Sequence, residues 1–293
     1  MRCLATVPLE WLARGIARLP QSILLAMASL LAWLLWPLLA GRRRIARINI
    51  ALAFPELDAA AQRSLLRENL RETVMGGFEL LRAWLAPDAR LHGAVRIDGL
   101  EHLQAARDAG QGVLLFTGHF MQTELAARLL KRVMGGTVRG VARRHNSPCI
   151  EAMFERARQR FVGSTLAKKD VRGLLRSLQA GEWVVYAADQ DFNYQHAFVP
   201  FFGIQAATLT GTADLVRRSG ACMLPLWFHR GHDGSYHMRI EAAWPGWIDA
   251  PPAESAAIYM RELEREVREY PGQYLWVHRR FKTRPPGEPS IYD

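Results

Sequence analysis

Val113-Leu114-Leu115-Phe116-Thr117-Gly118-His119-Phe120-Met121-Gln122-Thr123-Glu124 is the stretch on which the reading of this chain turns. Four consecutive apolar residues, 113–116, fit a strand buried on both faces, as in parallel sheets covered by helices. Gly118 permits a tight exit, and a helical pattern over 121–134 follows. His119 then stands at the carboxyl edge of a sheet, where open α/β folds place their chemistry. Glu124 lies about one helical turn further on. An imidazole acting as general base needs a carboxylate to fix its tautomer and stabilise its charged form. His119 and Glu124 supply such a pair from one short segment, and they are the candidate catalytic residues.

Outward from this junction the same alternation repeats. Val95-Arg96-Ile97 is a short strand candidate, and Leu100 to Ala109 a helix stopped by Gly110. Thr137 to Val141 is the next strand, followed by helices over 149–161 and 170–180. Trp183-Val184-Val185-Tyr186-Ala187 is a third buried strand and runs straight into Asp189-Gln190-Asp191. Helix 208–219 precedes a hairpin-like pair, Cys222 to Phe228 and Tyr236 to Ile240, turned about Gly231 and Asp233-Gly234. The acid- and Arg-rich run Glu254 to Glu269 reads as a surface helix with paired charges. Upstream, Ile45 to Phe54 is helical up to Pro55, and Leu57 to Leu85 is a longer helix with a break expected at Gly76-Gly77. The fold class is α/β: a mainly parallel central sheet flanked by helices.

The chain has 293 residues and a formal charge of +10, carried almost wholly by Arg, since Lys131, Lys168, Lys169 and Lys282 are the lysines. That excess favours acidic partners: a membrane surface, phosphorylated substrates, an acidic carrier protein or nucleic acid. Cys3, Cys149 and Cys222 show neither a disulfide framework nor metal-ligand spacing, which suits a reducing compartment. From Pro20 to Ala40 there is no charge, and about 20 apolar residues suffice to span a bilayer. Trp33 and Trp36 near one end and Gly41-Arg42-Arg43-Arg44 beyond it fit an interface and a cytoplasmic flank. A membrane-anchoring segment over 1–44 and a catalytic domain over 45–293 are expected. A shallow interfacial helix is the alternative to a spanning one.

Other clusters are open to more than one reading. Asp189 and Asp191, at a strand end, either bind substrate or brace their loop. Val199-Pro200-Phe201-Phe202-Gly203 walls an apolar slot or packs the core. Arg143, Arg144, Arg156, Arg158 and Arg160 form a basic belt near the site edge, where guanidinium forks suit phosphate or carboxylate. His229, His232 and His237 straddle a turn without a nearby cysteine and give a weak metal signal. The C-terminal run Gln273 to Pro286 interleaves aromatics with cations. Nucleic-acid binding competes there with a membrane-surface role, and the latter agrees with the N-terminal segment.

Taken in order, Gly118-His119-Phe120 with Glu124, Asp189-Gln190-Asp191, Phe198-Val199-Pro200-Phe201-Phe202-Gly203, Ala206-Ala207-Thr208-Leu209-Thr210-Gly211-Thr212, Ser219-Gly220-Ala221-Cys222 and Trp276-Val277-His278-Arg279-Arg280-Phe281-Lys282-Thr283-Arg284-Pro285 resemble the late acyltransferases of lipid A biosynthesis. The likeness starts upstream, with Arg44, Arg47, Asn49 and Phe54-Pro55-Glu56, and covers nearly the whole chain. It implies an acyltransferase-type α/β domain at the Gram-negative inner membrane, with its site on the cytoplasmic side. The donor implied is an acyl carrier protein thioester, and the acceptor a hydroxyl of a lipid A precursor. No cofactor, metal or nucleic acid is implied. Residue by residue, His119 and Glu124 fill the family's His-x4-acid dyad. Asp189, Asp191 and Arg143 match its substrate-binding positions, with Arg158 and Arg160 of the belt beside them. Arg144 and His145 depart from an Arg-Pro-Asn-like stretch. An acyltransferase of the same fold acting on an aminolipid, lysophospholipid or glycolipid is the nearest alternative.

Overall fold

The computed structural model describes residues 7–88, 91, 95–142, 147–159, 165–168 and 170–293. Strand β2, Val113–Thr117, is fully buried. Its side chains alternate between two apolar layers: Leu114 and Phe116 enter one, and Val113 and Leu115 the other. Strand β5, Trp183–Ala187, does the same with Val184 against Trp183 and Val185. That two-sided burial is why both strands read as unbroken apolar runs.

Around this pair, among the described residues, the sheet has seven strands in the order β1-β9-β8-β2-β5-β3-β4. Strands β8 (Cys222–Arg230), β2, β5, β3 (Val138–Ala142) and β4 (Leu166–Ala167) run parallel. Strand β9, Tyr236–Ile240, turns back antiparallel on β8, and β1, Val95–Asp98, pairs parallel with β9. The mainly parallel α/β fold expected from the sequence is present.

Helix α4, Ala59–Leu85, runs unbroken through Gly76-Gly77. A Cβ on Gly76 would fall 2.7 Å from Cβ of Met121, so this glycine serves close packing against the His119 segment rather than a break. Asp58 caps the helix by accepting from Ala60 and Ala61 amides, worth about 1 kcal/mol. Helices α5 (Leu100–Asp108), α6 (Thr123–Met134), α7 (Pro148–Gln159), α8 (Val171–Gln179), α9 (Thr212–Ser219) and α10 (Pro252–Glu269) lie where the periodicity placed them, within a few residues. The 199–203 stretch belongs to an antiparallel hairpin, β6 (His196–Phe201) with β7 (Ile204–Leu209). Its two-residue turn puts Phe202 and Gly203 at φ +51° and +75°, the signs a type I′ turn needs. Phe201 and Phe202 are core residues.

The N-terminal region differs from a single span. Helices α1 (Val7–Ile16) and α2 (Gln21–Leu35) form a bent pair at 118°, and among the described residues no single helix is long and apolar enough to cross a membrane. Fifteen residues in α2 give a rise of roughly 22 Å, short of the ~30 Å hydrocarbon core. Leu24, Ala28 and Ala32 bury one stripe of α2, with Leu24 and Ala28 against Met75 and Phe78 of α4. The other side leaves Leu30 57% and Trp33 73% exposed, Leu38 just beyond the helix is 78% exposed, and Trp11 of α1 is 73% exposed. Helix α3, Ala40–Ala53, follows and packs on α4.

The C-terminal aromatic and basic run also departs from expectation. Tyr274, Trp276, Arg280 and Phe281 are buried, not spread on a surface. Asn69 of α4 donates to the carbonyls of Gly272 and Tyr274, and Asn49 of α3 to those of Trp276 and His278. These two buried amides hold the returning chain against the sheet end. Cys149, expected to be a reduced thiol, is instead disulfide-bonded, while Cys222 is a free thiol.

Candidate active site

Thr117 ends β2 and Ala187 ends β5, side by side. Tyr259 of α10 ties both exits together, donating to the Thr117 carbonyl at 2.8 Å and accepting the Ala188 amide at 3.2 Å. Between them Gly118 passes so close to α10 that a Cβ there would meet Leu263 at 2.4 Å. The chain from His119 onward is then gripped by the C-terminal return: Leu275 N–H donates to the His119 carbonyl, and Met121 N–H to that of Gln273.

The carboxylate on His119 belongs to Asp189. Its Oδ1 lies 2.5 Å from Nδ1 of the imidazole, and its Oδ2 accepts the His119 backbone N–H at 2.9 Å. The Tyr274 hydroxyl donates to the same Oδ2 at 2.9 Å. Asp189 is 1% exposed, and burial alone would raise its pKa. The positive charge that His119 carries when protonated and the bonds from His119 and Tyr274 outweigh that, holding the carboxyl well below the usual range. It therefore stays ionised, with Nδ1 occupied and Nε2 left for a substrate.

Glu124, expected to be that partner, makes no hydrogen bond to His119. Its Oε1 accepts from Nε and one terminal nitrogen of Arg158 at 3.0 and 2.8 Å, and its Oε2 from the Trp84 indole at 3.2 Å. The Arg158 guanidinium sits 5.2 Å over the Trp84 ring. Helix α6 carries Glu124 toward α7 and α4, whereas the turn at Gly118 sends the imidazole toward β5.

Both residues nevertheless line one cavity of about 240 Å³. His119, Glu124 and Arg158 form its polar wall, and Val141, Val185 and Ala187 are among its apolar ones. Asp191 turns away from it: its carboxylate accepts the amide and hydroxyl of Thr283, both at 2.9 Å, and its own N–H donates to His278 Nε2. Burial pushes His278 down to about 4, so it is neutral and able to accept. Asp191 thus braces the loop that presents Asp189. Arg143 and Arg160, with Arg144 and His145, lie outside the described residues. Arg156 of the belt pairs with Glu10 of α1. His229 is buried against Glu266, and His237 bonds Asp98.

Tyr259, Tyr274, Asn69 and Arg280 escaped the sequence reading as site-building residues. Arg280 is fully enclosed and donates to the Ala207 carbonyl and Thr208 hydroxyl. The available signal was the location of polar residues in otherwise apolar stretches, since a buried polar group must be bonded.

An imidazole with its Nδ1 held by an ionised carboxylate, facing a cavity with apolar walls at the end of a parallel sheet, suits deprotonating a hydroxyl beside an aliphatic chain. That is the chemistry of an acyltransferase. The chain belongs to the bacterial lipid A biosynthesis acyltransferase family, whose model matches residues 9–283. It is 35% identical to a lipid A biosynthesis palmitoleoyltransferase of Escherichia coli (strain K12) over 97% of this chain and 94% of that protein. It is also 35% identical to the lipid A biosynthesis lauroyltransferase of the same organism, with the same shares covered. A lipid A biosynthesis acyltransferase of Haemophilus influenzae is 33% identical over 96% of this chain and 91% of its own length.

Proposed function

We propose that this acyltransferase moves a fatty acyl chain from an acyl carrier protein thioester to a hydroxyl of a lipid A precursor, at the cytoplasmic face of the inner membrane. The observation that carries the reading is the Asp189–His119 pair, opening on a partly apolar cavity. Names of relatives that span nearly all of this chain support the choice of acceptor.

In this mechanism His119 Nε2 takes the proton of the acceptor hydroxyl while Asp189 stabilises the imidazolium. The oxygen attacks the thioester carbonyl carbon, an O–C bond forms, and the C–S bond breaks. The thiolate leaves and receives from His119 the proton taken from the acceptor hydroxyl, so an ester and a free thiol result. Negative charge that develops on the carbonyl oxygen meets two sources of positive potential: Arg158, and the amides of the first turn of α6, which carries no side-chain cap. Glu124 sets the direction of Arg158 and stands where an acceptor hydroxyl enters. No acyl-enzyme is required, and Cys222, partly buried on β8, is no nucleophile for it.

The exposed apolar sides of α1 and α2 suit a helix pair lying in the membrane interface rather than across it. Exposed Arg172 and Arg176 on α8 and Arg218 on neighbouring α9 offer a cationic face to an acidic carrier. Mass spectrometry of lipid A from cells with and without this protein tests the acceptor. A loss of one acyl chain from lipid A upon deletion is expected. An unchanged lipid A with an altered aminolipid or glycolipid would assign the enzyme to another acceptor.

A further inference from the structure

A second and larger cavity, about 770 Å³, opens between α2, α4 and the β8–β9 turn. Its volume is within the range of ligand pockets, and it shares no lining residue with the cavity at His119. Trp33 and Trp36 form the wall at the end of α2, Ser64, Arg67, Glu68 and Arg71 the wall on α4, and His232 closes it from the turn.

Two guanidinium groups, Arg67 and Arg71, share this lining with a single carboxylate, Glu68. Arg67 is exposed and makes no ion pair among the described residues. Arg71 reaches Glu72 at 3.1 Å, but the other oxygen of Glu72 is taken by buried Arg230. Glu68 lines the cavity between them, with its carboxylate lying against Gly272 on the far side. Arg43 stacks on Trp36 at 4.3 Å and adds a further cation beside the opening. Two guanidinium groups and a hydroxyl along one helix face match the donor needs of a phosphodiester.

The apolar side has an equally definite direction. Trp33 belongs both to the cavity and to the exposed surface it forms with Leu30, Leu34 and Leu38. A ligand whose phosphate met Arg67 and Arg71 would run its chains over Trp33 onto that surface. Indole rings at such a boundary sit at headgroup level in a bilayer.

We infer that this groove binds the headgroup of an anionic membrane glycerophospholipid, whose acyl chains remain in the bilayer beside α2. The bound lipid fixes the depth and orientation of the enzyme on the membrane, separately from the chemistry at His119.

The test uses the full chain and vesicles of phosphatidylcholine with and without phosphatidylglycerol. Wild type should partition more strongly onto the vesicles holding phosphatidylglycerol. R67A should lower that affinity about fivefold and R67A/R71A about 20- to 30-fold, as expected for each arginine near a charged headgroup. Ser64→Trp fills the groove while retaining every charge, and it should weaken binding as much as the double variant. R96A/R261A removes the same charge elsewhere on the surface and should bind as wild type does.

Equal losses from R96A/R261A and R67A/R71A would make the preference a matter of net charge and overturn the inference. So would Ser64→Trp binding at full strength. Normal phosphatidylglycerol binding by R67A/R71A, together with a raised KM for the lipid acceptor in detergent, would give the groove to the acceptor instead.

Discussion

Asp189→Asn separates the two carboxylates that could serve His119. Asp189 accepts three hydrogen bonds, from His119 Nδ1, the His119 amide and the Tyr274 hydroxyl. Asparagine offers one oxygen and an NH2 group, so at least one of those buried donors loses its acceptor, at about 1–3 kcal/mol of stability. The rate should suffer more. The imidazolium formed by proton removal loses an ionised partner 2.5 Å away, and the amide can impose the wrong tautomer. A positioned base contributes 10²–10⁴, and a loss of about 10³ in kcat is expected, with KM little changed. Glu124→Gln leaves the Asp189 bond intact and should cost only about tenfold. The assay is thiol release from acyl carrier protein thioester in the presence of acceptor, with His119→Ala as the floor. The pH dependence supplies a second readout. The folded pKa of Asp189 lies below its unfolded value, so its stabilisation is complete above roughly pH 4 and is lost as pH falls toward the folded value. Urea midpoints of wild type and D189N should therefore converge below that pH. An Asp189→Asn enzyme within tenfold of wild type, alongside Glu124→Gln at the His119→Ala floor, would refute this assignment and restore the Glu124 dyad.

Gly140 of β3 lines the His119 cavity, and a Cβ built on it meets nothing within 4 Å; Gly140→Leu should shift transfer toward shorter acyl chains, read by mass spectrometry of products from a mixture of thioesters, and an unaltered chain profile would remove the cavity as the acyl site. Arg230→Met leaves Glu72 and Glu79 buried without their shared cation and should cost about 3–5 kcal/mol at neutral pH. Burial already raises the Glu79 pKa, so urea denaturation should show part of that loss recovered as pH falls and the carboxyl takes a proton. Cys222→Ala should keep most activity, and labelled thioester donor alone should leave no stable label on the protein; a labelled enzyme that passes its acyl group to acceptor would indicate a covalent route.

The strand at 113–117 was legible because burial on both faces leaves an unbroken apolar run, and Gly118 marks the tight exit. His119 and Asp189 could be named as candidates for the same reason, since each follows such a strand. What sequence spacing could not show was which of them meet. Glu124 is five positions from His119, but helix α6 directs it to Arg158, and the partner comes from a parallel strand 70 residues away. Register between β2 and β5, Thr117 beside Ala187, makes that meeting, and no local pattern encodes it. The C-terminal run misled for a related reason. Its aromatics and cations suit a surface, but Asn49 and Asn69 satisfy its carbonyls and Arg280 finds buried acceptors, which lets the same residues enter the core. The N-terminal apolar stretch has the composition of a span, and it stops short because α2 ends at Leu35, ahead of Pro37.

The proposed deprotonation of an acceptor hydroxyl by His119, with direct acyl transfer, is open to one decisive measurement: the purified enzyme is incubated with an acyl carrier protein thioester and a lipid A precursor, and the lipid is then weighed. Wild type should add the mass of one acyl group per acceptor, and His119→Ala, folded and still bound to membranes, should add none above the uncatalysed background. A His119→Ala enzyme that acylates the precursor at a near-normal rate would show that His119 is not the base.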